Sequence, residues 1–297
     1  MSGWGAECAR CGGASLIGGQ GVMTLGPTRS AYATPGRCAP MHVADGAGRM
    51  DAVTLGGVEG AGPAAAGAGD RRGGPLAPED RDYPPGLLRL PSPPLLYVRG
   101  GLGCLAGLSV GVVGTRRPDA VQRAWSAGLA AALAARGITV CSGYAPGIDR
   151  AAHRGALAGD GATAAVLAEP VGVIRRRGEG AGLRTLTAAV LRRGCFVSEQ
   201  APGGGAASRR EAVLRLLARN RLIAALSGAV VVVAARDRGG AHVTAEWAWR
   251  LGIPVFVADF GSATPIGNLR LILRGAIPLA GSPDSAAEAI PSSLSPA

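Results

Sequence analysis

The 297-residue sequence contains no lysine, so all 31 of its basic side chains are arginines. Two explanations stand side by side: a coding bias toward GC-rich codons, or a use for the guanidinium fork at phosphates. Aromatic residues are almost as scarce, at 4%. The core must therefore be built from Val, Leu, Ile and Ala, and base stacking on aromatic platforms can contribute little to any nucleic-acid binding. No run of about 18 apolar residues occurs, so no membrane span is expected. The first residues lack the basic-then-apolar pattern of a secretory leader. The six cysteines, at positions 8, 11, 38, 104, 141 and 195, show no dense regular spacing. A disulfide framework is not expected, and a reducing cytoplasm is the simplest compartment. Cys141 and Cys195 fall inside apolar strand patterns, where a reduced cysteine acts as a small hydrophobe.

The positive charge is placed unevenly. Residues 1–80 hold six arginines and seven acids, whereas residues 81–297 hold 25 arginines and 13 acids. A net charge of +12 on the second part suits a polyanionic partner, because each neutralised phosphate releases counterions. Residues 1–81 are rich in Gly, Ala and Pro and lack a sustained apolar period, so this segment is expected to be disordered. Within it, Cys8, Cys11, Cys38 and His42 offer four soft ligands for zinc. Nothing around Cys38 and His42 has the pattern of a strand or helix that would hold them, and no metal or other cofactor is expected.

From Asp82 the pattern changes. Tyr83 to Pro94 is an extended, proline-pinned segment leading to a short strand over 95–99. Strands and helices then alternate. Strands are predicted at 110–113, 138–141, 163–168, 195–198, 229–235 and 255–258. Helices are predicted from Pro118 to Gly137 and over 181–193, 208–227, 242–251 and 266–274. The unbroken apolar run 229–235 reads as a strand buried on both faces. Such alternation specifies an α/β fold, a Rossmann-like and mostly parallel sheet with helices on both faces. The domain is placed at 82–283, with 284–297 a short tail.

In this class the ligand lies beyond the carboxyl ends of the strands. Gly114, Thr115 and Arg116 follow one strand and precede a helix; they read either as a phosphate loop or as a plain turn with a solvated arginine. A second glycine-rich turn runs through Ser142, Gly143, Gly147, Ile148 and Asp149, with His153 one helical turn on. Asp149 and His153 are either a general-acid pair or, the reading favoured here, a helix cap and a helix-surface imidazole. The N–H groups and helix ends of both loops are expected to converge on one anion pocket. Arg219, Asn220 and Arg221 form a third group, whose two arginines point to different sides of a helix unless it starts or bends there.

At these residues a family resemblance emerges. Val110-Gly-Val-Val-Gly-Thr-Arg116, Ser142-Gly-Tyr-Ala-Pro-Gly-Ile-Asp-Arg-Ala-Ala-His153 and Arg219-Asn-Arg-Leu-Ile-Ala-Ala-Leu-Ser227 resemble, in order and spacing, the signatures of the DNA-processing protein A (DprA/Smf) family. Gly267-Asn268 with Leu271-Ile272 and Gly275-Ala276 is similar to the family's final block. The resemblance covers roughly 82–280. It implies a Rossmann-like fold, binding of single-stranded DNA, and delivery of the strand to a RecA-type recombinase as in natural transformation. Binding by the residues named above is expected to be sequence-independent, because phosphate contacts carry no sequence information, and a homodimer is expected. It implies no catalysis.

The sequence departs from the pattern in places. Pro146 replaces a signature arginine, 238–245 matches only in part, and Asp259-Phe260 stands where the family has Pro-Gly. The family's Tyr-Pro-x-x-Asn stretch is not recognisable in 171–182. Neither the N-terminal helical domain nor the C-terminal winged-helix domain of many members is expected. Two other classes compete: a nucleotide-binding sensor using the same crevice, and a phosphoribohydrolase-like enzyme, faintly echoed by Pro202-Gly-Gly-Gly205 and Glu211.

Overall fold

The structure is a computed structural model that describes residues 75–173, 180–203, 207–290 and 294. The zinc candidates Cys8, Cys11, Cys38 and His42 lie outside the described residues.

Eight strands form one sheet. They are β1 (Tyr97–Gly100), β2 (Ser109–Gly114), β3 (Thr139–Ser142), β4 (Thr163–Leu167), β5 (Cys195–Ser198), β6 (Ala229–Ala234), β7 (Val255–Ala258) and β8 (Ile277–Leu279). The spatial order is β1-β5-β4-β3-β2-β6-β7-β8. Every pair is parallel except β1 with β5. The helices are α1 (Ala120–Ala135), α2 (Ile148–Ala158), α3 (Ala181–Arg193), α4 (Arg209–Ala225), α5 (Gly240–Arg250), α6 (Ile266–Leu273) and α7 (Pro283–Ala289).

The alternation of side chains along each strand sorts the core into two faces. Val230 and Val232 of β6 point toward α4, α5 and Leu271 of α6. Ala229, Val231 and Val233 point toward α1, α2 and α7. The β4 residues Ala165 and Leu167 meet Leu186 and Val190 of α3. With every β6 residue buried, its continuous apolar run is explained by cover on both faces.

The architecture extends past the expected boundaries at both ends. Leu76 is buried and pairs with Leu96, each N–H donating to the other's carbonyl at 2.8 and 2.9 Å. The proline-pinned segment is not extended throughout, because Pro85–Arg89 is a 3-10 turn that sinks Leu87 into the core. Tyr83 closes it by donating to the Pro94 carbonyl at 2.6 Å. At the other end, β8 adds a strand. α7, capped by Ser282, lays Ala286, Ala287 and Ile290 against the α1 face. Among the described residues no helix is long and apolar enough to cross a membrane.

One feature of the order positions the site. From β2 the chain crosses by α1 to β3 on one side, while β6 flanks β2 on the other and leads on to β7. The direction of winding reverses between β2 and β6. The connections leaving the carboxyl ends of β2 and β6 therefore diverge and open a crevice there.

Candidate nucleic-acid interface

A cleft of about 570 Å³ occupies that crevice. Its floor is Val113, Gly114 and Thr115 at the end of β2 and Ala235 at the end of β6. One wall is α4, with Val213, Leu216, Leu217, Arg219 and Asn220; the opposite side brings Arg116, Arg117, Ala145 and Asp149. Arg236, Arg238 and the start of α5, from Gly239 to His242, complete the rim. The lining holds five arginines against a single acid, Asp149. Asp237, between two of those arginines in sequence, is paired with Arg270.

The loop after β2 is fixed by backbone. Thr115 N–H donates to the Ala234 carbonyl at 2.7 Å, and the Thr115 carbonyl accepts from Ile148 N–H at 3.2 Å. Gly114 has no room for a side chain, since a Cβ would lie 2.8 Å from Ile148. Gly147 is held at φ +91°, and its Cα packs so closely on the other loop that a Cβ would fall 2.4 Å from the Thr115 carbonyl oxygen. The two glycine loops thus meet as expected. N–H groups at their helix ends are already engaged within the protein, however. The start of α1 is occupied by the reciprocal capping box of Asp119 and Gln122, and the Ile148 N–H that opens α2 is spent on Thr115. The helix that opens on the cleft is α5, whose N-cap Gly239 brings no side-chain cap. Its first residues, Gly240 to His242, line the cleft together with the arginines, and the positive end of its dipole lies there.

Several signature residues hold the frame rather than the cleft. The Ser142 hydroxyl donates to the Val112 carbonyl at 2.6 Å, tying β3 to β2. Asn268, fully buried, accepts from Ala235 N–H at 2.7 Å and donates to the carbonyls of Val233 and Ala258 at 2.9 and 2.8 Å. It thereby pins the ends of β6 and β7. Gly267 lets α6 approach, since a Cβ there would lie 2.1 Å from the Arg236 carbonyl oxygen. Asn220 lines the cleft and donates to the Gly240 carbonyl at 3.2 Å, joining α4 to the start of α5.

Asp149 and His153 are not an acid pair. Asp149 lies in the first turn of α2 and accepts from Ala145 N–H at 3.3 Å, so it ties back the preceding turn instead of capping its own helix. Burial pushes its carboxyl up to about 6, against the pull of Arg219 and of the Ala145 and Gly114 amides. His153 is not a helix-surface imidazole but is wholly buried. Thr163 spends its hydroxyl hydrogen on the Val140 carbonyl, so its oxygen accepts from His153 Nδ1–H at 2.7 Å. Nε2 meets no donor. Burial and the surrounding arginines 219, 150 and 154 drop the imidazole to about 3, and it stays neutral.

The third group divides. α4 runs unbroken through 219–221, so residues two apart face opposite ways. Arg219 turns to the cleft, while Arg221 forms an ion pair with Glu199 on the other side. Arg221 is therefore not part of the cleft. Glu211 is exposed and paired with Arg215, so the glutamate of the phosphoribohydrolase-like echo lies outside the cleft. The sequence reading missed Arg117, Arg236, Arg238 and His242. The signal for them was position alone: 236–238 directly follow β6 at the point where winding reverses.

Comparison with known proteins agrees with this architecture. The sequence model for DNA recombination-mediator protein A matches residues 75–290. The chain is 38% identical over 188 residues to Protein Smf of Synechocystis, covering 61% of this chain and 44% of that protein. It is 34% identical over 206 residues to Protein Smf of Escherichia coli, covering 68% and 53%. The chain thus spans about half the length of these relatives. Among solved structures, DNA processing protein A of Streptococcus pneumoniae superposes with a TM-score of 0.64 at 27% identity, covering 74% of this chain and 75% of that one. The same protein from Helicobacter pylori, whose structure concerns its single-stranded DNA binding mode, gives 0.60 at 25% identity, covering 70% and 92%. With its fold, its signature residues and this match over 75–290, the chain belongs to the DNA recombination-mediator protein A (DprA/Smf) family.

Proposed function

We propose that the cleft between β2 and β6 binds the backbone of single-stranded DNA without regard to sequence, and that the protein, as a homodimer in the cytoplasm, passes the strand to a RecA-type recombinase. The observation that carries the binding is the composition of the cleft: four exposed arginines, Arg116, Arg117, Arg236 and Arg238, and the uncapped start of α5 beside one buried acid. Phosphates satisfy both features and carry no sequence information. Among the described residues the lining contains no Phe, Tyr or Trp. Affinity is then dominated by phosphate neutralisation and falls steeply with salt. The family's description as a recombination mediator supports the transfer step. The dimer draws on exposed apolar side chains beside the edge strand β8, among them Leu269, Leu273 and Ile277.

The test is a titration with single-stranded and duplex oligonucleotides of matched length at two salt concentrations. Each neutralised phosphate contributes about 0.7 to the slope of log affinity against log salt on a single strand. Arg116→Ala and Arg117→Ala should each weaken all sequences alike and flatten that slope by about this amount. Arg221→Ala, on the far side of α4, should leave the slope unchanged. Tight binding of a mononucleotide with none of an oligonucleotide would favour the sensor reading instead.

A further inference from the structure

Arg219 is almost wholly buried, with 5% of its surface exposed, yet it borders the cleft. Its Nη1 donates to the Val166 carbonyl at the end of β4 at 2.7 Å. Its Nε has no partner. The guanidinium lies against the backbone of Gly143 at the end of β3. A Cβ on that residue would be 1.9 Å from Nη1, 2.6 Å from Cζ and 2.7 Å from Nη2. Gly143 is not in the left-handed region, so what a side chain there would meet is the guanidinium and not a constraint of its own backbone. Directly after it the chain turns through Tyr144, which is held at φ +59°, to Ala145, whose N–H is bonded to Asp149. Asp149 is the opposite charge that acts most strongly on Arg219. One buried cation therefore touches the end of β4, the Gly143 backbone and the field of the carboxylate that ties the turn back.

We infer that Arg219 is a positioning residue: its guanidinium, seated on the bare Gly143 backbone, holds the 142–149 turn in the shape that lets the cleft take a phosphate, and it does not itself neutralise that phosphate. The inference rests on the DNA-binding reading for its consequence but not for its geometry. Its burial and its bond to Val166 leave it poorly placed to meet a polyanion. By contrast Arg116, Arg117, Arg236 and Arg238 are exposed at the rim.

The decisive variant is Gly143→Ala, which removes no charge. It should weaken single-stranded DNA binding by about tenfold, roughly the worth of one hydrogen bond to a charged phosphate. The salt slope should be unchanged, because no phosphate contact of a cation is lost. Arg219→Met should weaken binding similarly, again with the slope kept. In the Arg219→Met background the three guanidinium atoms that a methyl at position 143 would strike are gone, so adding Gly143→Ala there should change little. Amide hydrogen exchange of 142–149 in the free protein should rise in both single variants while the melting temperature confirms folding. This readout needs no ligand. If wild type binds no DNA but exchange rises as stated, the DNA reading fails and the brace survives. Should Arg219→Met prove unfolded, Gly143→Ala alone decides. Unchanged exchange and affinity in Gly143→Ala, or a slope flattened by about 0.7 in Arg219→Met, would overturn the inference in favour of no coupling or of a direct phosphate contact.

Discussion

The buried His153 and Asp149 give this protein a pH response that can be worked out with sign and size. In the unfolded chain His153 takes a proton near 6.5; in the folded protein burial delays this to about 3. A lowered folded value means that the unfolded state binds the proton first. The contribution of His153 is therefore fully present above pH 6.5 and is lost as pH falls toward 3. At 1.36 kcal/mol per pH unit the loss amounts to about 5 kcal/mol. Asp149 acts in the opposite sense. Its value rises from 3.8 unfolded to about 6 folded, so the folded state binds its proton more tightly. That contribution is fully present below pH 3.8 and is lost as pH rises through 6, a swing of about 3 kcal/mol.

Between about pH 6 and 4 the two slopes oppose each other and nearly cancel. Asp149→Asn removes the compensating group while keeping a side-chain oxygen for the Ala145 N–H. Relative to wild type, the variant should lose about 3 kcal/mol of stability between pH 7 and pH 4. The comparison subtracts the other carboxylates, which titrate in both proteins. Urea unfolding at pH 7, 6, 5 and 4 measures the difference directly. His153→Gln should show the reverse, gaining on wild type as pH falls. A difference between wild type and Asp149→Asn that stays constant within about 1 kcal/mol over this range would refute the reasoning, because it would mean that Asp149 titrates alike in both states.

Two further outcomes follow from the packing. Removal of residues 1–74 should leave the melting temperature within about 2 °C of the full chain, whereas removal of 1–80 also strips Leu76 from the core and its bridge to Leu96, and should lower it by about 5 °C or more; a thermal scan of both truncations separates them. Asn268→Leu should cost at least about 3 kcal/mol in chemical denaturation, because it leaves the Ala235 N–H and the Val233 and Ala258 carbonyls buried without partners; a cost under about 1 kcal/mol would show that the ends of β6 and β7 do not depend on it.

Most of the fold was legible because its elements are long, apolar and regularly spaced. The bounds of α3 and β5 were read to the residue, and those of β6 and α4 to within two. What escaped was short or mixed. β8 has three residues, one of them proline, and α7 is built of Ala, Ser and acids with no apolar stripe. The Leu76 bridge depends on a partner twenty residues on, which no local period reveals. The site was legible only in part. Glycines 114 and 147 mark places where two backbones touch, and such places leave a composition signal. An arginine in a loop leaves none, so Arg236 and Arg238 could be found only once the sheet order placed the end of β6 beside the end of β2. Asn268 and Ser142 show the converse: signature residues that mark the frame need not meet the ligand.

That distinction bears on Pro146, which stands where the family pattern has an arginine. Pro146 is exposed and does not line the cleft, although its neighbour Ala145 does. It precedes Gly147, and it is the glycine that takes the positive φ of the turn. Loss of the arginine therefore removes one charge from the rim and leaves the backbone of the turn intact. Restoring it by Pro146→Arg should cost about 0.4–1 kcal/mol of stability, through the added freedom of the unfolded chain. A long side chain from this position can reach the phosphate path past Ala145, so the salt slope for single-stranded DNA should steepen by about 0.7. If affinity and slope both stay at the wild-type level in the folded variant, the strand does not pass along the 142–149 side, and the track must run between Arg117 and the α5 rim instead.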